Sequence, residues 1–451
     1  MSVRNLFIIA ANKVFLKLLK LFSLGSGSTW PGHIALKLNP HFVKDILSNS
    51  PTKVILIAGT NGKTTTSTLL RFLLEKEGKT VFQNEEGANL LNGIASNLIK
   101  HATISGKIKD EFAVFEVDEN SLPLILDQSS PEAVIVLNLF RDQLDRYGEV
   151  NLVAKKWKER FKTLSTKTTL VLNGDDPQIA YLGLNIPADV ECFGLESSLM
   201  ESKAIPHDVD SIYCPNCGEK LEYESMSYSH LGNYQCNNCE FKRPRVTTYS
   251  SKDITTQLKG IYNIYNISAV FLTLEKVLAT PLQHLFEGVK EFKPAFGRQE
   301  VLRYKERDVF LILSKNPTGF NQSIQAVINN KPAHSLSVLI LLNDRVPDGR
   351  DISWIWDVEF QDLLPAAKKI VLSGDRTYDL ALRFKYCLDA DEKISSNNNK
   401  STFSNITAAA DLSVALEDAI VNTVKDETLY VLSTYSAMLD IRKLLIGKKL
   451  L

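Results

Sequence analysis

The sequence predicts an α/β protein built from two sheet units, the first carrying an insert held by a metal, and three observations predict it. Short aliphatic runs alternate with helical stretches, as in parallel sheets buried on both faces. A glycine loop ending in Lys-Thr follows the first of those runs. Four cysteines stand as two C-x-x-C pairs in a segment poor in aliphatic residues.

The first unit begins with the run Val54 to Ala58, of the kind that fills a parallel sheet. Thr64 to Glu75 follows as a helix, and Phe112 to Val117, Ala133 to Leu137 and Thr169 to Leu172 continue the sheet. Gly260 to Leu278 is a helix, and Pro294-Ala295-Phe296-Gly297 marks a boundary. Beyond it, Val309 to Leu313, Ser337 to Leu342, Lys369 to Leu372 and Leu429 to Leu432 are strands of a second α/β unit, and Ser395 to Ser404 is a loop. Ahead of both, Val3 to Leu24 is a helix with Lys13, Lys17 and Lys20 in one basic stripe, ended by the Gly25 to Gly32 segment. It either packs on the body or lies on a membrane surface. The expected division is 1–50 for this helical segment and linker, 51–296 for a nucleotide-binding unit with its insert at 205–248, and 297–451 for the second unit.

Composition narrows the function. The 451 residues are 44% hydrophobic and 23% charged, an ordinary globular balance. With 52 basic and 52 acidic residues there is no overall excess to hold a polyanion, and no nucleic-acid partner is expected. No apolar run reaches the length of a membrane span and no secretory signal stands at the start, so the expected compartment is the cytoplasm.

The chemistry centres on Gly59-Thr60-Asn61-Gly62-Lys63-Thr64-Thr65. Its glycines permit a tight turn whose N–H groups face phosphate oxygens, and the helix that follows adds the positive end of its dipole. Lys63 reaches the outer phosphates of ATP, and the Thr64 hydroxyl is a magnesium ligand. Ile57 stands where the longer form of this loop has glycine, so this is the short G-x-x-G-K-T form. Glu116, Asp118 and Glu119 lie at a neighbouring strand end; Glu116 and Asp118 would share one side of an extended strand, and Glu116 is the expected magnesium carboxylate. Asn138 to Asp145 follows another buried strand, where α/β active sites collect.

Cys214-Pro215-Asn216-Cys217 and Cys236-Asn237-Asn238-Cys239 are separated by 18 residues. Two such knuckles complete a tetrahedral four-thiolate zinc site with no open position, so Zn2+ here is structural and supplies folding energy that the weak local core lacks. Cys192 and Cys387 have no partner pattern and read as core residues.

These motifs together resemble the Mur ligase superfamily over nearly the whole chain. The loop from Gly59 to Thr65 is similar to the family's phosphate loop, and Glu116 to its magnesium glutamate. Gly260-Ile261-Tyr262-Asn263-Ile264-Tyr265-Asn266 resembles a nucleotide-contact segment, with Tyr262 in place of His. Gly297-Arg298-Gln299-Glu300 resembles the start of the C-terminal domain. Within the superfamily the resemblance is to the MurT family, carried by the four-cysteine ribbon, the Asn138 to Tyr147 segment, Lys315 to Asn321, and Asp348 to Asp357. Gln143 stands where many amino-acid-adding relatives have His, and only about 50 residues precede the loop, which leaves no room for a uridine-nucleotide domain.

The resemblance implies a Mur ligase-like P-loop ATPase domain, a Rossmann-like C-terminal α/β domain, and ATP and Mg2+ as cofactors. It implies amidation of the D-glutamate α-carboxylate of lipid II, through an acyl phosphate, at the inner membrane face. Ammonia would come from a GatD-like class I glutaminase subunit, since neither Cys192 nor Cys387 has the setting of a glutaminase nucleophile. It further implies that Lys63 and Glu116 are catalytic and that Asn263, Asn266 and Arg298 contact nucleotide. One aspartate of the Asp351 to Asp357 segment would approach the glutaminase site, with both Asp351 and Asp357 candidates. A folylpolyglutamate-like or amino-acid-adding ligase is the alternative.

Overall fold

The computed structural model describes residues 1–21, 29–84, 87–142, 150–200, 209–293, 298–329, 332–394 and 405–447. The expected loop at Ser395 to Ser404 lies outside them, as does Gln143. Among the described residues, two six-stranded sheets organise the chain.

The first sheet has the order β2-β3-β1-β4-β5-β6 and is parallel throughout. Its strands are β1 (Lys53–Ala58), β2 (Val81–Gln83), β3 (Phe112–Glu116), β4 (Ala133–Val136), β5 (Thr169–Asn173) and β6 (Asp189–Phe193). Strands β1, β3 and β4 are apolar on both faces because helices cover both sides. Since β1 pairs with β3 on one side and β4 on the other, chain connections diverge at its carboxyl end, where α/β proteins bind ligands.

One face of this sheet is covered by α1 (Val3–Leu21), α2 (Trp30–Leu38), α3 (Phe42–Ser48) and α5 (Leu91–His101), the other by α4 (Lys63–Lys76) and the helices Ile261–Leu278 and Leu282–Glu291. The sequence predicts this first helix as far as Leu24, and residues 22–28 fall outside the described set. Ile8 and Ile9 bury α1 in the core, and Asn5 shares its amide with Asp45 (2.7 Å) and Asn39 (2.7 Å), fixing α1 to the start of the sheet unit. Among the described residues no helix is long and apolar enough to cross a membrane.

The second sheet has the order β13-β12-β11-β14-β10-β9. It consists of β9 (Arg298–Tyr304), β10 (Arg307–Leu313), β11 (Leu336–Leu341), β12 (Ala367–Ser373), β13 (Ile406–Ala408) and β14 (Thr428–Ser433). All neighbours are parallel except the β9–β10 hairpin.

Between the two sheets in sequence, β7 (Glu222–Tyr228) and β8 (Leu231–Gln235) form an antiparallel hairpin. Its small core contains Leu221, Tyr234 and Phe241 with Cys214 and Cys236, in keeping with the scarcity of aliphatic residues. Asp175 ties the hairpin to the first sheet. Its carboxylate accepts from Arg243 Nε (2.7 Å), Tyr265 Oη (2.8 Å) and the Leu195 N–H (2.8 Å), and its carbonyl accepts the Gly232 N–H (2.9 Å).

Candidate active site

The loop after β1 turns through Gly59 and Gly62, at φ +139° and +91°, into α4. A Cβ on Gly62 would lie 2.3 Å from Asn266 Oδ1, so this position demands glycine for space as well as conformation. The loop is held from β4's end, where Asn138 Oδ1 accepts the Asn61 N–H (2.8 Å) and Asn138 Nδ2 donates to the Asn61 carbonyl (3.0 Å).

Two functional pairs meet here. The Thr64 hydroxyl donates to Glu116 Oε2 at 2.8 Å, joining the first turn of α4 to the end of β3. Lys63 is buried and folds back over the loop, bonding Glu119 Oε1 (3.0 Å), the Thr60 carbonyl (3.3 Å) and the Gly59 carbonyl. Burial alone would lower the Lys63 ammonium, but Glu119 and then Glu116 outweigh it, so the amine sits above its usual value and stays charged. Trp157 Nε1 donates to the Glu119 carbonyl (2.8 Å) and fixes that backbone.

The expectation that Glu116 and Asp118 share one side of a strand is corrected. β3 ends at Glu116, and Asp118 turns inward to accept the Asn120 N–H (3.1 Å). The carboxylate that reaches Lys63 is Glu119, which alternation along a strand could not have selected.

A cleft opens beside the loop, between the two sheet units. Asn61, Gly62, Thr64 and Thr65 form one wall, Asn263, Asn266 and Tyr262 a second, and Ile312, Thr318 and Gln322 from the second sheet unit a third. Asn263 Nδ2 bonds the Lys259 carbonyl (2.7 Å), and Asn266 Nδ2 bonds Asn263 Oδ1 (3.1 Å), so Asn266 presents its oxygen to the loop. The Arg298 side chain lies outside the described residues. Its neighbour Gln299, unassigned from sequence, lines the cleft, donates to Tyr262 Oη (2.5 Å) and clamps both backbone groups of Lys259 (2.8 and 2.7 Å). Tyr228, at the end of β7, also lines it and packs edge-on to Tyr265 (5.8 Å), so the cysteine-bearing hairpin reaches the cleft.

The two sheet units meet across this site. Asn61 and Asn316 exchange side-chain hydrogen bonds (3.3 and 3.0 Å), and Asn316 caps the helix Pro317–Ile328 through the Gly319 N–H (2.7 Å). Lys315 pairs with buried Asp142 at 2.5 Å. Burial raises the Asp142 carboxyl above the usual carboxylate range, against the pull of Lys315. Arg141 pairs with Asp210 and reaches Asp357 Oδ2 at 3.2 Å.

These groups line a second recess with Asp351, Ser353 and Trp354. Thus Asp351 and Asp357 are brought together, but in different settings. Asp357 is engaged by Arg141, whereas exposed Asp351 accepts its own turn's Ser353 N–H (2.8 Å). Asp348 of the same segment is buried, accepting from the backbone and hydroxyl of Ser436, and is structural.

The four expected cysteines converge. Their sulfurs lie within 4.8 Å of one another, with Cys214–Cys239 at 3.6 Å and Cys217–Cys236 at 3.5 Å. The edge of a tetrathiolate tetrahedron with Zn–S near 2.3 Å is about 3.8 Å, so the donor set fits one such ion. All six cysteines are free thiols; Cys387 is buried, and Cys192 is partly buried against the first core. Burial pushes the Cys192 thiol up to about 12, the opposite of a reactive thiolate.

Residues 57–274 match the Mur ligase middle domain, and residues 313–438 match the MurT ligase C-terminal domain. The chain is 30% identical over 450 residues, 95% of each chain, to the MurT subunit of lipid II isoglutaminyl synthase (glutamine-hydrolyzing) from Streptococcus pneumoniae. It is 32% identical over 375 residues to the same subunit from Staphylococcus aureus, covering 80% of this chain and 83% of that one. Among solved structures, a pseudomurein peptide ligase type C from Methanothermus fervidus shares the fold with a TM-score of 0.63 at 23% identity, over 90% of this chain and 80% of that one.

Proposed function

Because this chain belongs to the MurT family of Mur ligases, we propose that it is the synthetase subunit of a lipid II isoglutaminyl synthase. It is an ATP-dependent ligase that amidates the D-glutamate α-carboxylate of lipid II to D-isoglutamine, with ammonia released from glutamine by a separate GatD-like subunit. The observation that carries this reading is the convergence of Lys63, Thr64 and Glu116 beside a cleft closed by the second sheet unit.

The acceptor carboxylate attacks the γ-phosphorus of ATP and ADP leaves, giving an acyl phosphate. Ammonia then attacks the acyl carbon, and phosphate departs as the nitrogen loses a proton. Phosphoryl transfer needs its negative charge held in place, which is the role assigned to the N–H groups from Gly59 to Thr65 and to the Lys63 ammonium. The lysine must first exchange Glu119 for phosphate oxygen, a swap of one anionic partner for another. Thr64 and Glu116 present two hard oxygens and would hold Mg2+, which when bound neutralises the phosphates. Asn263, Asn266, Gln299 and Tyr262 are assigned to the nucleoside side, and Arg298 is proposed from its sequence position as a further nucleotide contact.

We assign the recess around Lys315, Arg141 and Asp142 to the acceptor and ammonia. Of the two candidate aspartates, exposed Asp351 is assigned to the glutaminase site, and Asp357 to holding Arg141 across the seam. The four-cysteine cluster is assigned to structural Zn2+, making the hairpin a zinc ribbon. The proposed domains are 51–296 and 297–451, the latter Rossmann-like, behind the 1–50 segment. Work on a lipid-linked acceptor places the enzyme at the inner membrane face, with no nucleic-acid partner.

The test is amidation of lipid II with glutamine or ammonium salt, each with and without the glutaminase, following ADP and product mass. Ammonia-dependent amidation by this chain alone is the expected result. Incorporation of an amino acid in place of ammonia would move it to the amino-acid-adding branch.

A further inference from the structure

We propose that the outer faces of α1 and α2 form a docking surface for an anionic lipid bilayer, holding the enzyme where a lipid-linked acceptor is presented. This rests on the reading above for the acceptor's chemistry, and on separate observations for the surface.

Val3, Phe7, Ala10 and Val14 recur at spacings of four, three and four, which places them in one stripe along α1. That stripe points away from the protein: Val3 is 83% exposed, Phe7 69% and Val14 59%, while Asn5, Ile8, Ile9 and Asn12 bury the opposite side. On α2, Trp30 (66% exposed), Ile34 and Leu38 repeat the pattern at intervals of four. Leaving this many large apolar groups in water is unfavourable for a protein whose cores are otherwise well closed.

Charge selects the occupant. Residues 1–44 contain Arg4, Lys13, Lys17, Lys20, Lys37 and Lys44 and no acidic residue, in a chain whose total charge is zero. Arg4 and Lys17 are exposed and stand on either side of the apolar stripe on the helical projection. An apolar stripe bordered by cations fits the interface of an anionic membrane, where aromatic and aliphatic groups enter the acyl boundary and the cations meet headgroup phosphates. A protein partner burying the same face would have to supply acids of its own.

The surface is also anchored to the catalytic unit. Asn5 bonds Asp45 and Asn39, and the Met1 side chain lies over Gly106. In α2 the Gly32 N–H donates to Ser96 of α5 (2.7 Å), and a Cβ on Gly32 would meet the Asn92 carbonyl at 1.8 Å. α5 in turn starts just after Asn89, whose carbonyl accepts the Asp118 N–H (3.0 Å) beside Glu116. The layer that faces lipid is thus one helix away from the phosphate loop.

The experiment is co-sedimentation of the full chain with vesicles of phosphatidylcholine, with and without phosphatidylglycerol, alongside F7E/V14E and R4E/K17E. The wild type is expected to bind phosphatidylglycerol vesicles on the order of tenfold more tightly than neutral ones, with the difference shrinking in high salt. F7E/V14E should lose binding on the order of tenfold or more, and R4E/K17E should lose only the preference for the anionic lipid. Both variants should amidate detergent-solubilised lipid II like the wild type. Vesicle binding unchanged in F7E/V14E, or indifferent to phosphatidylglycerol in the wild type, overturns the proposal. So does a fall in hydrodynamic mass of F7E/V14E without vesicles, which would mean that a second copy covers the face. Failure of the wild type to amidate solubilised lipid II would sink the functional reading while leaving the vesicle result to stand or fall separately.

Discussion

Arg141 Nη2 lies 3.2 Å from Asp357 Oδ2, so the residue that follows the β4 end of the first sheet is held by the Trp354-containing turn of the second unit. Both side chains are about one-third exposed, and such a pair is worth no more than about 1 kcal/mol. D357N should therefore leave the melting temperature nearly unchanged and lower turnover with glutamine and with ammonia alike. D351N should cripple the glutamine-dependent reaction of the complex and spare most of the ammonia-dependent one. Measuring both variants with both nitrogen sources decides the assignment. The opposite split exchanges the two roles, and no split in either variant removes both residues from contact with the glutaminase.

The Thr64–Glu116 contact carries a second prediction. E116Q and T64A each weaken a hard-oxygen pair aimed at the cleft, so kcat should fall by about 10²–10³ while folding is little affected. Raising the magnesium concentration should recover part of the loss in T64A. Full activity of E116Q at saturating ATP would take that residue out of the metal site.

For Lys63 the structure adds a stability effect to the expected loss of turnover. K63A should abolish amidation with either nitrogen source, and it also leaves the Glu119 carboxylate, whose side chain is only 6% exposed, without its cation. Removing one member of a buried ion pair costs roughly 3–5 kcal/mol. K63A should melt early, and K63A/E119Q should regain much of the melting temperature but none of the activity. Equal melting of K63A and wild type would show that the pair is not held in solution.

The cysteine cluster predicts about one zinc per chain, with C236S losing it and melting roughly 5 °C or more below wild type. Because Tyr228 belongs to the same hairpin and lines the cleft, the KM for ATP should rise in C236S before kcat falls. Metal analysis of freshly purified protein that finds no zinc would refute the assignment.

What the sequence made legible follows from how locally each feature is encoded. Strands β1, β3, β4, β5, β10, β11, β12 and β14 declare themselves as aliphatic runs because both faces are buried. β2 and β13 have three residues each, too few for any pattern, and β9 is a polar edge strand paired antiparallel, so none of them reads as a strand in isolation. The glycine loop and the cysteine knuckles were legible because backbone need and ligand spacing fix their residues. Lys63 with Glu119 is a contact across 56 residues, and Asn61 with Asn316 one across 255. No periodicity reports such pairs; only closure of the fold does. Lys315 and Asn316 still had a usable signal, since they stand just past the carboxyl end of β10.

The Asn61–Asn316 exchange has a consequence for control. The nucleotide loop sits on one side of it, and Asp351, assigned to the partner's site, belongs to the unit on the other. If the binding of ATP and of the proposed glutaminase each depends on this contact, the two affinities are coupled through it. Linkage then requires reciprocity: whatever factor ATP applies to the dissociation constant of the glutaminase, the glutaminase applies to that of ATP. Nitrogen delivery and phosphoryl donor supply would then be coupled at this one contact, each reporting the presence of the other without any shared chemistry.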